Sequence, residues 1–124
     1  MNRNCIIQKT PFAVPTTDNK LIEEFFGLAS LKAGSADLSF AHMIAPAGWS
    51  EPFQTPEFDE ITYVISGRKQ FEIDGSTIVL EKNQAICINK GTRVRYSNPF
   101  EEPVEYISVC MPAFSPEMVH REIQ

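Results

Sequence analysis

The sequence predicts an all-β fold, a sandwich or barrel, on three observations. Short apolar runs are punctuated by Gly, Pro, Asn and Asp along the 124 residues. Ile61-Thr62-Tyr63-Val64-Ile65 is β-branched and aromatic throughout. Arg68 to Asp74 alternates, with Lys69, Phe71 and Ile73 on one face and Gln70, Glu72 and Asp74 on the other, and then meets Asp74-Gly75, a two-residue hairpin signal.

The elements follow in order. Lys20 to Phe26 fits either a short helix capped by Asp18 or a strand, and the Asp18-Asn19 pair favours a turn between strands. Leu38 to Ala45 is a strand ending at Pro46-Ala47-Gly48, and Ile61 to Ile65 stops at Ser66-Gly67. Arg68 to Asp74 and Thr77 to Leu80 form a hairpin, followed by a turn at Glu81-Lys82-Asn83-Gln84. Ala85 to Ile88, Thr92 to Tyr96 and Val104 to Met111 complete the set. Ser115-Pro116-Glu117 carries an N-cap hydroxyl, a first-turn proline and an acid, predicting a short helix from Pro116 to about Glu122 with His120 and Arg121 in its last turn.

The length accommodates one domain, residues 1–124. A formal charge of −5 opposes phosphate backbones and anionic lipid, so neither nucleic acid nor membrane is an expected partner. Met1-Asn2-Arg3-Asn4-Cys5 lacks the apolar run of a signal peptide, and no stretch of about 18 apolar residues follows, so the expected address is cytoplasmic. Cys5, Cys87 and Cys110 include no C-x-x-C pair; Cys87 and Cys110, flanked by apolar neighbours, read as buried strand thiols. Bulky residues in both phases of Ile61–Ile65 imply that both faces of that strand are covered, one of them by a second copy in a homodimer.

Spacing carries a family resemblance. Gly48, five residues, Gln54, one, Pro56, three, Glu60, six, Gly67 resembles the first cupin motif, with Gln54 and Pro56 where that motif has histidines. Asn83, Asn89, Gly91, Val94 and Asn98 fall on the second cupin motif, where Gly91 and Asn98 match and Val94 replaces the third histidine. The resemblance covers about residues 38–112. It implies a double-stranded β-helix, the cupin jelly-roll barrel. Phe58-Asp59-Glu60-Ile61, Tyr63-Val64, Gly67 and Ile73-Asp74-Gly75 are most similar to the ethanolamine-utilisation branch. The acetate-kinase-like activity described there is not carried over, because no phosphate-cradling glycine loop is present.

Chemistry decides the metal question at these positions. Proline and valine offer no lone pair and an amide oxygen is a poor transition-metal ligand, so Glu60 alone is a good donor and no metal or other cofactor is expected. The barrel face then offers Glu60 as a general acid or base, or as a structural ion-pair partner. Gln54 orients a polar ligand or sits in water at the rim. Val94 and Tyr96 share a face, and Tyr96 contributes a hydroxyl or packs. His42, on a face with Phe40 and Ile44, is a possible ligand contact, though packing is its commoner role. Trp49 is a pocket lip or packs on Phe53 or Phe58. Glu51, Glu57, Asp59, Glu101 and Glu102 read as solvated. Three functions follow: metal-independent binding of a small organic ligand, an isomerase, epimerase or lyase using Glu60, or a structural or regulatory dimeric barrel.

Overall fold

The computed structural model describes residues 4–30 and 37–123; residues 1–3, the start of the segment considered for a signal peptide, and 31–36 and 124 lie outside it. Among the described residues nine strands run in chain order: β1 Phe12–Ala13, β2 Leu21–Phe26, β3 Ser39–Ala45, β4 Asp59–Ser66, β5 Lys69–Ile73, β6 Ser76–Leu80, β7 Ala85–Ile88, β8 Val94–Ser97 and β9 Val104–Met111. Two antiparallel sheets form, one ordered β1-β2-β3-β9-β4-β7 and one ordered β6-β5-β8. The all-β jelly-roll expectation is met. The segment from Lys20 resolves as a strand over Leu21–Phe26, with Asn19 left-handed at φ 64° in the turn before it. No helix among the described residues is long and apolar enough to cross a membrane.

Period-two alternation sets the inside. In β9, Val104, Tyr106, Ser108 and Cys110 are buried while Glu105, Ile107 and Val109 face out. In β3, Ser39, Ala41 and Ala45 are buried, and His42 lies in the opposite phase. The main core joins Trp49, Val64, Phe71, Leu80, Ile88, Val94, Tyr96, Val104 and Tyr106. A smaller, separate cluster joins Phe58, Cys110 and Val119, with Met118 packed against it. Asp74 and Gly75 have φ of 51° and 76°, the backbone that a two-residue primed hairpin turn requires. Asn98 is fully buried, and its amide nitrogen donates to the carbonyls of Pro46 (3.2 Å) and Glu102 (2.8 Å), tying the β3 exit to the β8–β9 connection.

The C-terminal helix is shorter than the sequence predicts. Only Pro116–Met118 is helical, as a 3-10 turn. Beyond it the backbone serves another partner. Thr55 N–H donates to Val119 O (2.9 Å), Glu57 N–H to Met118 O (3.0 Å), and Glu122 N–H to Phe53 O (2.8 Å). These bonds to the 53–57 segment replace helix propagation, and His120 has a left-handed φ of 51°. His120 and Arg121 therefore do not complement a helix dipole; they face Glu57 and Glu51. Cys87 is a further correction. It is exposed, because its phase of β7 points away from the core, whereas Cys110 is buried as expected.

Candidate functional site

Glu60, Thr62 and Val64 occupy the inner phase of β4, and register pairs Glu60 with Cys110 and Thr62 with Ser108 across β9. That pairing converges polar groups inside an apolar barrel. Tyr96 Oη donates to Glu60 Oε1 at 2.6 Å, and Ser108 Oγ donates to Glu60 Oε2 at 2.5 Å. Cys110 Sγ lies 3.9 Å from Glu60 Oε2. Both carboxylate oxygens are thus engaged, while Glu60 keeps partial contact with solvent. Burial first, then the Glu60 charge, push the Tyr96 phenol and the Cys110 thiol well above their ordinary ranges, so both stay protonated at neutral pH.

Opposite lies a residue that the sequence reading placed on an apolar face without assigning it a role. Lys69 is only 2% exposed. Its ammonium sits 3.7 Å from the Tyr106 ring centroid, 4.9 Å from that of Tyr96 and 5.2 Å from that of Phe71. No carboxylate among the described residues lies within 4.0 Å of it. Desolvation lowers its pKa to about 8, partly offset by the field of Glu60. Thr62 Oγ1 is also buried with no hydrogen-bond partner among the described residues. The signal in the sequence was the alternation itself: a lysine in phase with Phe71 and Ile73 must point inward when the strand is half-buried.

Gln54 is buried at 3% exposure, held by reciprocal backbone bonds to Val94, and its amide donates to Glu51 Oε1 at 3.0 Å. Glu51 corrects an expectation, since it is buried rather than solvated. Burial opposes its ionisation, but Lys20 at 2.8 Å and Arg121 at 3.5 Å hold its pKa below the usual carboxylate range. Trp49 belongs to the core, its indole donating to Asp18 (2.8 Å) beneath the Lys20 ammonium. Val94 and Tyr96 both face inward, as their shared phase implies. His42 does not join the site. It lies on the outer face of β3, its Nδ1 2.9 Å from Glu23 and its Nε2 2.6 Å from Glu105, because its strand phase is opposite to that of the inward Ala41 and Met43. Desolvation opposes its charge, yet the two carboxylates raise its pKa.

These donors do not suit a transition metal. Pro56 and Val94 have no lone pair, the Gln54 amide is bonded to Glu51, and both Glu60 oxygens accept protein hydroxyls. Among the described residues no group of three or more His, Cys, Asp or Glu side chains is placed to hold an ion. Two surface clefts, of about 490 and 390 Å³, are lined respectively by residues including Pro56, Lys90 and His120, and by residues including Phe53, Glu72 and Arg95; Glu60 and Lys69 line neither.

The fold and the motif positions define a small jelly-roll barrel with the usual histidine positions filled by Gln54, Pro56 and Val94. The cupin domain family matches residues 41–110, more than half of the chain, and the chain belongs to that family. It is a small cupin similar to the EutQ proteins. It is 27% identical to EutQ of Clostridium difficile at a TM-score of 0.62, over 78% of this chain and 66% of that one. It is also 42% identical over 109 residues, 88% of its length, to Endoribonuclease YbeY of Myxococcus xanthus, and spans only 36% of that protein. The polyketide cyclase RemF of Streptomyces resistomycificus, 15% identical, shares the fold at a TM-score of 0.74 over 100% of this chain and 87% of its own.

Proposed function

We propose that this cupin binds a small organic ligand inside the barrel without a metal, between Glu60 and Lys69. The observation that carries the reading is a buried lysine with no carboxylate within 4.0 Å among the described residues, together with a buried Thr62 hydroxyl that has no hydrogen-bond partner among them, on the strand that carries the Glu60 carboxylate. Such groups are costly in a folded interior, and a ligand oxygen accepting from them offsets that cost. Ribonuclease activity is named for a relative of which this chain matches 36%, and a net charge of −5 offers RNA little attraction. A second reading, proton-transfer catalysis, is supported by the same cluster. Tyr96 hydrogen-bonds Glu60, His42 faces away from it, and Lys69 offers a further acid–base group.

Thermal-shift screening of small polar compounds tests the binding reading. A ligand at a hundredfold excess over its Kd is expected to stabilise the fold by about 2.7 kcal/mol, a rise of roughly 10 °C, and Glu60→Gln is expected to weaken that response. If no compound shifts the wild-type melting temperature, the reading fails.

We further propose that the chain acts as a homodimer through the outer face of the larger sheet. Leu21, Ile61 and Tyr63 remain 40%, 37% and 40% exposed there, beside the outward phase of β9. Light scattering is expected to give twice the chain mass for wild type and a single mass for Ile61→Glu. A monomeric wild type ends the idea.

A further inference from the structure

We infer that Lys69 is a covalent capture site for small neutral aldehydes or ketones, which it holds as an imine inside the barrel. The inference rests on the ligand-binding reading above. It starts from placement: the Lys69 amine is buried against the faces of Tyr106, Tyr96 and Phe71, with no carboxylate within 4.0 Å among the described residues. An amine tied to a carboxylate is held as ammonium; this one is free to lose its proton. The groups whose charge reaches it are Glu60 from β4 and Lys20 and Glu51 beside β2 and β3, with the protonated Cys110 thiol of β9 and the protonated Tyr96 and Tyr106 rings also facing it.

The balance of atoms is simple. The lone pair of neutral Nζ attacks the carbonyl carbon, a C–N bond forms, and the carbonyl oxygen takes up a proton. The carbinolamine then loses water, breaking the C–O bond and forming C=N, so amine plus carbonyl gives imine plus water. The two protons given up by nitrogen leave with the oxygen as water, so the step draws no proton from Tyr96 or Ser108, whose hydroxyls donate to Glu60. A protonated imine stays positive opposite the Glu60 carboxylate. A ligand bearing its own carboxylate would bring a second anion against Glu60, while Lys20 is already paired with Glu51. Neutral carbonyl compounds are therefore the class favoured.

Burial also sets the reactivity. With a pKa of about 8, roughly a tenth of Lys69 is neutral at pH 7, on the order of 10²-fold more than an exposed lysine with a pKa of about 10.4. The exposed Lys9, Lys82 and Lys90 are internal references.

The test treats the full chain with propionaldehyde and cyanoborohydride, maps reduced adducts by peptide mass spectrometry, and records melting temperature in parallel. Lys69 is expected to be modified ahead of Lys9, Lys82 and Lys90, with a rate rising through pH about 8. Lys69→Met is expected to lose only that adduct. Pyruvate is expected to label Lys69 at least tenfold more slowly than propionaldehyde. Lys69 left unmodified after the exposed lysines have reacted overturns the inference. If propionaldehyde raises the melting temperature without an adduct, covalent capture falls while ligand binding stands. If neither an adduct nor a shift with any screened compound is found, both fall. Equal labelling by pyruvate overturns the restriction to neutral carbonyls.

Discussion

Replacing Gly67 with alanine is expected to destabilise the fold by about 3–5 kcal/mol, lowering the melting temperature by roughly 10–20 °C. Two costs add. Gly67 has φ 79°, a left-handed backbone in which a side chain costs about 1–2 kcal/mol. An added Cβ would also lie 2.3 Å from the Pro103 carbonyl oxygen and 2.9 Å from Val104 Cα. These are backbone atoms, so relief requires moving the β4–β5 turn away from the start of β9. Register makes that difficult, because the bulge between Val64 and Ser66 sets Ser66 opposite Glu105 just before the turn. Gly91→Ala is the control. Its φ is 81°, but an added Cβ would meet nothing within 4 Å, so only the conformational cost applies. Urea unfolding of the two variants distinguishes the effects. A Gly67→Ala loss no greater than that of Gly91→Ala refutes the close approach.

Lys69→Met is expected to stabilise the protein at pH 7 by about 3 kcal/mol, and that advantage is expected to vanish as pH rises. The folded lysine titrates near 8 and the unfolded one near 10.5. Between those values the unfolded chain binds the proton and the folded chain does not, so the contribution of Lys69 to stability grows with pH, by about 1.4 kcal/mol per unit. Below pH about 8 the full penalty of a buried charge is present. Cys110, Tyr96 and Tyr106 act in the opposite sense, since burial raises their pKa values and the unfolded state ionises first. They are common to both proteins, so the difference between the two stability–pH curves isolates Lys69. Denaturant titrations from pH about 7 to about 10 measure it. A difference that stays constant over this range shows that Lys69 is not buried as a depressed-pKa amine. A small organic ligand that accepts from Lys69 compensates for the penalty, which is the physical link between this instability and the proposed function.

The two predictions draw on different layers of information. Asp74-Gly75, the alternation of Lys69 to Ile73, and the glycine and asparagine spacings of 48–67 and 91–98 were legible because turn backbone and strand period are local properties. They specified the barrel, the inward face of Val94 and Tyr96, and the loss of metal-ligating side chains. The outward phase of His42, shared with Phe40 and Ile44, was also visible, but which phase faces inward is a choice made only when sheets pack. Helix signals at Ser115-Pro116-Glu117 were locally sound and were overruled beyond Met118, where Thr55 and Glu57 offered the backbone better partners. Glu51 read as a loop acid because nothing nearby in sequence announces Lys20, thirty-one residues away, or Arg121. By itself, then, the chain determined the strand set, the turn chemistry and the inability of Gln54, Pro56 and Val94 to form a histidine-type metal site. Tertiary structure alone decided that Tyr96, Ser108 and Cys110 meet on Glu60 and that Lys69 is left without a carboxylate within 4.0 Å among the described residues, because cross-strand register and the dielectric of a buried site arise only when distant strands close on one another.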